Sequence, residues 1–420
     1  MMELSSRSLS EIRRDLHQYP EEGWTEFRTT ALVAEELDDR GFELHLGPDA
    51  VDPDERLGVP SEDKLAAALE RARDLGAPEE YLDQMDSISG LVAVKQYGDG
   101  PTVGVRVDMD ALARQEAMDD DHRPARDGFA SEHPGEMHAC AHDGHTAIGL
   151  GIAREIEENG GFDGTLKLFF QPAEEGGRGG KPMSETALLD DVDHMLALHL
   201  GLGEETGTVV AGYDRPLSNA KLDVTFYGEP AHAGGEPHAG KNTAQALGAA
   251  IQNLYAIPRH GDGKTRINVG QVHSPNAQNV ISEEARLRVE VRGGTADLNE
   301  YMLGKARTVV EHAAGMHECT HDESLYGKTT TFDCDESMVE AVEDAAKDVE
   351  GVTNLKDRKE FGGSEDASFL IRRVQEQGGD ATYIGIGASN TAGHHTAYFD
   401  IDEESLDIGV GVTCETLRSL

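Results

Sequence analysis

Residues 137–147, MHACAHDGHTA, place His138, Cys140, His142, Asp143 and His145 within a few positions of one another. Imidazole, thiolate and carboxylate are the common side-chain ligands of transition metals. Cys140 and His142 are two apart. In an extended stretch their side chains point the same way, and a helix is expected to begin near Asp143. The alternative is a buried cysteine with solvated histidines at a helix entrance. So dense a cluster favours a metal site, yet one such motif cannot close a coordination shell.

Four further stretches offer partners. LKLFFQPAEEGG is an apolar strand ending in the adjacent carboxylates Glu174 and Glu175. Neighbouring glutamates can divide labour, one holding metal and the other acting as general base. HMLALHLGLG closes a second apolar strand with His199, AGHHTAYFDIDEESL carries His394 and His395, and VRVDMDAL carries Asp108 and Asp110. Those aspartates can bind metal directly or orient a ligand histidine. Each stretch has a plain alternative: a solvated acidic turn, or a core histidine bonded to a carbonyl. Recurrence at four or five strand ends is the stronger argument, because ligands gather at the carboxyl ends of strands in α/β sheets. Such an edge can hold two ions, which share a hydroxide and polarise a carbonyl. There is no GxSxG elbow and no phosphate-binding P-loop.

The elements that must position these groups can be read from periodicity. Leu9, Ile12 and Leu16 lie on one helical face, and Phe27, Ala31, Ala34 and Leu37 on a second that stops at Gly41. SEDKLAAALERARDLG is another helix, inside a polar insertion over about residues 47–88. Near-continuous apolar strands then alternate with the helix HTAIGLGIAREIEENGG. This predicts an α/β fold with a mixed, mainly parallel sheet and helices on both faces. Near residue 213 the strands begin to alternate more strictly, as half-exposed antiparallel strands do, and the α/β texture returns after about residue 330. We expect a split catalytic domain, 1–212 and 330–420, with an inserted α+β domain at 213–329.

The chain is long enough for two cores, at 420 residues. It has 37 basic and 80 acidic residues, for a net charge of −43. That balance excludes nucleic acid and anionic membranes as partners. The acids are spread along the chain, which suits hydration in high salt and suggests a halophilic, salty cytoplasm. No apolar run reaches transmembrane length. The four cysteines form no CxxC, so a disulfide framework is not expected and a cytoplasmic location is.

The motifs LHQYPEEGWTEFRT, RVDMDAL, MHACAHDGHTA, FQPAEEGGRG, ALHLG, AHAGGEPHAGKNT, GSEDAS and GHHTAYFDID together resemble a family of co-catalytic two-metal amidohydrolases, aminoacylases and carboxypeptidases. EEGWTEFRT, HRPARDGFAS and the insertion resemble its p-aminobenzoyl-glutamate hydrolase subgroup. The resemblance implies a hydrolase of N-acyl amino acids, with an aroyl-glutamate such as p-aminobenzoyl-glutamate as the leading substrate. A broader aminoacylase or an indole-acetyl-amino-acid or hippurate hydrolase is the alternative. A catalytically silent metal-binding subunit is the reading from another class. The implied metal ligands are Cys140 (bridging), His142, Glu175, His199 and His395; His395 aligns rather than His394 because it lies four residues before Phe399. Glu174 matches the general base, and His232 an oxyanion-stabilising histidine that reaches a partner's site. Asn279 and Arg292 match positions that hold the substrate carboxylate. Two divalent ions, Mn2+ or Zn2+, are implied, together with dimerisation through the inserted domain, as a homodimer or with a related B-type subunit. His138 and His145 are expected as supports and Asp143 as a cap or orienting partner. Ala141 departs from the family, which usually has glycine there. If that position requires positive φ, the loop must adjust.

Overall fold

The computed structural model describes residues 6–420. The chain forms two compact units. The first comprises the chain up to Arg215, Phe332–Phe361 and Asp366–Leu420; the second comprises Pro216–Thr331 and Gly362–Glu365.

In the first unit the elements run α1 (Leu9–Gln18), α2 (Phe27–Asp39), β1 (Glu43–Leu46), α3 (Glu62–Asp74), α4 (Glu79–Gln84), β2 (Leu91–Gln96), β3 (Thr102–Asp108), α5 (Arg123–Asp127), α6 (His142–Asn159), β4 (Thr165–Gln171), α7 (Gly180–Ser184), β5 (His194–Leu200) and β6 (Thr208–Asp214). The second unit supplies β7 (Ser218–Tyr227), α8 (Thr243–Tyr255), β8 (Thr265–His273), β9 (Glu284–Gly293), α9 (Ala296–Met316) and β10 (Thr320–Thr329). The chain then returns to the first unit with α10 (Glu336–Ala346), β11 (Asn354–Glu360), α11 (Ser368–Glu376), β12 (Asp380–Ile386) and α12 (Glu404–Ser419).

The first unit is built on an eight-stranded mixed sheet in the order β1-β2-β4-β3-β5-β12-β6-β11. Strands β4, β3, β5 and β12 run parallel to one another in its centre. They are buried on nearly every residue, as their continuous apolar sequences require. Helix α6 packs on this centre, and two glycines set its distance. A Cβ at Gly144 would lie 2.6 Å from Leu200, and one at Gly149 would lie 2.8 Å from the Phe170 ring. Helix α1 begins at Ser8, whose hydroxyl and the carboxylate of Glu11 form a reciprocal capping box. The start of that amphipathic pattern, residues 1–5, lies outside the described residues.

The second unit is an antiparallel sheet, β10-β7-β9-β8, with α8 and α9 packed on one face. Its core of Leu222, Val224, Phe226, Leu287, Val289, Val291, Leu254, Met302 and Val310 is separate from that of the first unit. Among the described residues no helix is long and apolar enough to cross a membrane.

Strands β1, β6, β10 and β11 were not anticipated. β10 (THDESLYGKT) and β11 (NLKDRKE) are polar strands at sheet edges, so they lack the apolar signal of the central strands.

Candidate metal centre

The carboxyl ends of β4, β3, β5 and β12 are neighbours in the sheet, and the polar residues that follow them meet there. Glu174 and Glu175 follow β4, Asp108 ends β3, His199 sits near the end of β5 opposite Gly385 of β12, and His394 and His395 follow β12. Cys140 and His142 join them from the entrance of α6. Cys140 belongs to two groups of candidate ligands, one with His142 and His199 and the other with Glu175 and His395. A third group is His142, Glu174 and Glu175; within each group the ligand atoms lie within 4.8 Å of one another. The Cys140 sulfur is 3.6 Å from Nε2 of His199, and His395 Nε2 is 3.2 Å from Glu175 Oε1.

Hydrogen bonds aim these groups. The Nδ1 proton of His142 goes to the carbonyl of Asp110 at 2.8 Å, and that of His199 to the carbonyl of Leu200 at 2.7 Å. A carbonyl only accepts, so in the neutral form of either ring Nε2 is left with its lone pair, the form in which a histidine binds metal. Nε2 of His142 is buried and has no hydrogen-bond partner among the described residues. A buried lone pair without a donor, beside a thiol and carboxylates, fits a metal ion. The Asp110 carboxylate accepts the amide protons of Glu174 at 2.9 Å and Glu175 at 3.0 Å, so one aspartate holds both glutamates and, through its carbonyl, His142. Asp108 accepts from His145 Nδ1 at 2.6 Å and from Arg106 at 2.7 Å, and His145 Nε2 accepts from the amide of Leu200 at 2.9 Å.

The electrostatics suit a cation. Burial, and then the negative charge of Glu175, push the Cys140 thiol well above its usual range. A cation is what would make a thiolate at that position. Burial and the neighbouring His145 and His394 hold His199 well below the usual histidine range, so it is neutral. Burial opposes the charging of His142, but the Asp108 carboxylate outweighs it and holds that ring well above.

Three loops of the site contain non-glycine residues with left-handed backbone: Ala141 (φ 68), Ala173 (φ 52) and His395 (φ 63). The stretch Cys140–His142 is therefore not extended, as had been expected. Ala141 turns the chain, and α6 begins at His142, beside Asp143 as expected. The amide of Ala173 is fixed by Glu26 Oε1 at 2.7 Å, while Ser89 donates to the other oxygen at 2.6 Å. Burial, and then the charge of Asp110, push Glu26 up to about 8.

Two groups beside the centre were not anticipated as members of it. His394 directs Nδ1 at the Cys140 sulfur (3.5 Å) while its Nε2 accepts from the amide of Leu202 at 3.2 Å, which leaves the proton on the nitrogen facing sulfur. The positive φ of His395 lets two consecutive histidines face the cluster, and only the doublet HH hinted at that. Glu26 lies in a helix-entrance motif with no metal-type pattern. Asp143 is no N-cap; its carboxylate accepts from Arg13 and from His17, both at 2.8 Å. His138 is buried, and neither ring nitrogen has a hydrogen-bond partner among the described residues.

In the second unit, His232 and Asn279 are carried on two paired segments. The His232 backbone bridges to Val280, and the amide of Ala233 donates to the carbonyl of Asn279 at 3.0 Å. The amides of Gly234 and Gly235 both donate to His232 Nδ1, at 3.1 and 2.9 Å. The neutral ring of this exposed residue therefore carries its proton on Nε2. Arg292 lies on β9 and bonds Glu290 at 3.0 Å.

Residues 104–419 match the model of peptidase family M20/M25/M40. The chain is 45% identical to the indole-3-acetyl-aspartic acid hydrolase of Enterobacter agglomerans over 96% of this chain and 93% of that one. It is 42% identical to one of the subunits of p-aminobenzoyl-glutamate hydrolase from Escherichia coli (strain K12), over 97% and 94%. The crystal structure of an aminobenzoyl-glutamate utilization protein from Klebsiella pneumoniae superimposes with a TM-score of 0.85 at 37% identity, covering 98% of this chain and 95% of that one. The chain belongs to peptidase family M20/M25/M40 and is a metal-dependent amidohydrolase.

Proposed function

We propose that this chain hydrolyses the amide bond of N-acyl amino acids whose amino acid is acidic, with an aroyl-glutamate such as p-aminobenzoyl-glutamate as the leading substrate. The single observation that carries the reading is Cys140, shared by two ligand groups with Glu174 beside them. The two relatives named above differ in acyl group, indole-acetyl in one and aminobenzoyl in the other, and share an acidic amino acid. That contrast supports aspartate or glutamate as the recognised half.

Cys140, His142, Glu175, His199 and His395 would hold two divalent ions, Mn2+ or Zn2+, and when bound these supply Lewis acidity and an ionised water. Glu174 takes a proton from the attacking water and delivers it to the leaving amine nitrogen. His232 donates its Nε2 proton to the carbonyl oxygen as negative charge develops there. Arg292 and Asn279 hold the substrate carboxylate. Asp110 keeps both glutamates in place, and the His394 proton faces the Cys140 sulfur.

His232 would act on a partner's site, so the active form is a dimer, either with a B-type subunit or of two copies. A fully active monomer, by sizing and assay, would contradict this. Four unpaired cysteines suit a reducing cytoplasm. The dispersed acidic surface suits a halophilic setting.

The test is amine release by the purified chain with Mn2+ or Zn2+, from a panel of p-aminobenzoyl-glutamate, indole-acetyl-aspartate, hippurate and N-acetyl amino acids. Preference for the first two supports the reading. Preference for neutral amino acids would move it to a broad aminoacylase. No turnover with metal bound would favour the catalytically silent reading.

A further inference from the structure

The antiparallel sheet of the second unit has a core face under α8 and α9 and an open face. On β9, Ala285, Leu287, Val289 and Val291 are buried in the core, and Arg286, Arg288, Glu290 and Arg292 alternate with them on the open face. On β8, Ile267 is buried in the same core and the preceding Arg266 is exposed. Arg292 stands directly opposite Arg266 on one side and Asn219 of β7 on the other. One row across that face, buried at its Asn219 end, therefore reads Asn219, Arg292, Arg266.

This row pairs a cation with a cation. Its neighbours do not: Arg288 stands opposite Asp223 and binds it through two nitrogens, and Lys221 stands opposite Glu290. Like charges directly opposite across a sheet are destabilising. In a chain with 80 acidic residues against 37 basic ones, a carboxylate partner would be easy to supply. Arg292 reaches only along its own strand, to Glu290, and Arg266 turns back to the carbonyl of Thr265 at 2.9 Å. A second, independent observation lies at the end of the row. Asn219 is 3% exposed, and its buried Oδ1 has no hydrogen-bond partner among the described residues. An acceptor without a donor stands beside two donors that face one another.

We propose that this row binds the acidic amino acid of the substrate. Arg292 takes the α-carboxylate, Arg266 takes the side-chain carboxylate, and the buried Asn219 amide closes the row beside Arg292. Adjacent strands are about 4.8 Å apart, a separation the two carboxylates of aspartate or glutamate can span. The proposal rests on the reading of Arg292 under Proposed function and adds Arg266 as the residue that selects an acidic side chain. It also supplies what the field of so acidic a chain demands, a local pair of cations strong enough to hold a dianion.

The test compares p-aminobenzoyl-glutamate with its glutamine counterpart at fixed ionic strength, using the metal-loaded chain. Arg266→Gln should raise KM for the glutamate substrate about tenfold to a hundredfold, the weight of a charged hydrogen bond. The glutamine substrate should change less than about twofold, and Arg266→Lys should recover part of the loss. Equal losses on both substrates, or no loss on glutamate, would overturn the proposal. If the wild type hydrolyses neither substrate, the reaction assigned above fails, and the row is then judged by calorimetry with glutarate and butyrate. A glutarate preference that Arg266→Gln abolishes supports the row. A preference that is absent, or unchanged in the variant, overturns it.

Discussion

The main-chain carbonyl of Asp110 accepts the Nδ1 proton of His142 at 2.8 Å, while the carboxylate of the same aspartate holds the amides of Glu174 and Glu175. One residue thus fixes a ring tautomer and two adjacent carboxylates. Asp110→Asn keeps the carbonyl and its bond to His142 but turns one accepting oxygen into a donor facing an amide. Loss of one charge-assisted bond and exposure of a buried N–H to a like donor should cost about 1–3 kcal/mol at the turn. We expect kcat to fall roughly tenfold to a hundredfold by the same energy, with lower metal occupancy. Elemental analysis alongside steady-state kinetics checks both, and wild-type values for both would remove Asp110 from this role.

Ala141 sits at φ 68 in the loop between Cys140 and His142. An L-residue with a Cβ pays roughly 1–2 kcal/mol there, and glycine pays none of it. Ala141→Gly should therefore raise stability by up to about 1 kcal/mol, part of the gain being lost to greater freedom of the unfolded chain. Ala141→Val, β-branched, should lower stability and metal content together. Thermal melts of both variants with and without metal decide this. A destabilising glycine would show that packing of the Ala141 methyl outweighs the backbone strain.

His17 is fully buried between two carboxylates, with Asp143 at its Nδ1 (2.8 Å) and Glu116 at its Nε2 (2.9 Å). Burial disfavours the charged ring, but the bonds to Asp143 and Glu116 prevail and raise it to about 9. The folded value lies above the unfolded one of about 6.5. The stabilisation is thus complete below about pH 6.5 and is lost as pH rises through about 9. It amounts to up to about 3 kcal/mol. Urea midpoints at pH 6, 7.5 and 9 should fall for the wild type, and His17→Gln should flatten the decline. An equal slope in the variant would place the effect elsewhere.

Net charge of −43 means strong self-repulsion that salt screens. The melting temperature should rise with KCl up to molar concentration. Equal stability in dilute buffer and in molar salt would sink the halophilic reading.

How much of this was legible in the sequence depended on burial. Glu174, Glu175 and His395 follow buried apolar strands of the sheet centre and His199 lies near the end of another, so hydrophobic runs with polar endings were enough to gather them on one edge. The edge strands β10 and β11 carry polar and charged residues because one side has no neighbour, and that removed their signal. The resemblance pointed to His395 by its distance from Phe399, while the left-handed backbone at His395 lets both histidines face the cluster. Glu26 and Asp110 act through main-chain amides of the turn after β4, and a sequence does not reveal which carboxylate will meet which amide. The αL turn at Ala141 was raised only as a condition, since an alanine does not announce positive φ.

The most direct test of the account is Glu174→Gln, measured for bound metal and for turnover on the same preparation. If Glu174 is the general base, the variant keeps two divalent ions per chain and an unchanged melt and loses most turnover, of order a hundredfold or more. Near-normal turnover with metal bound would contradict it.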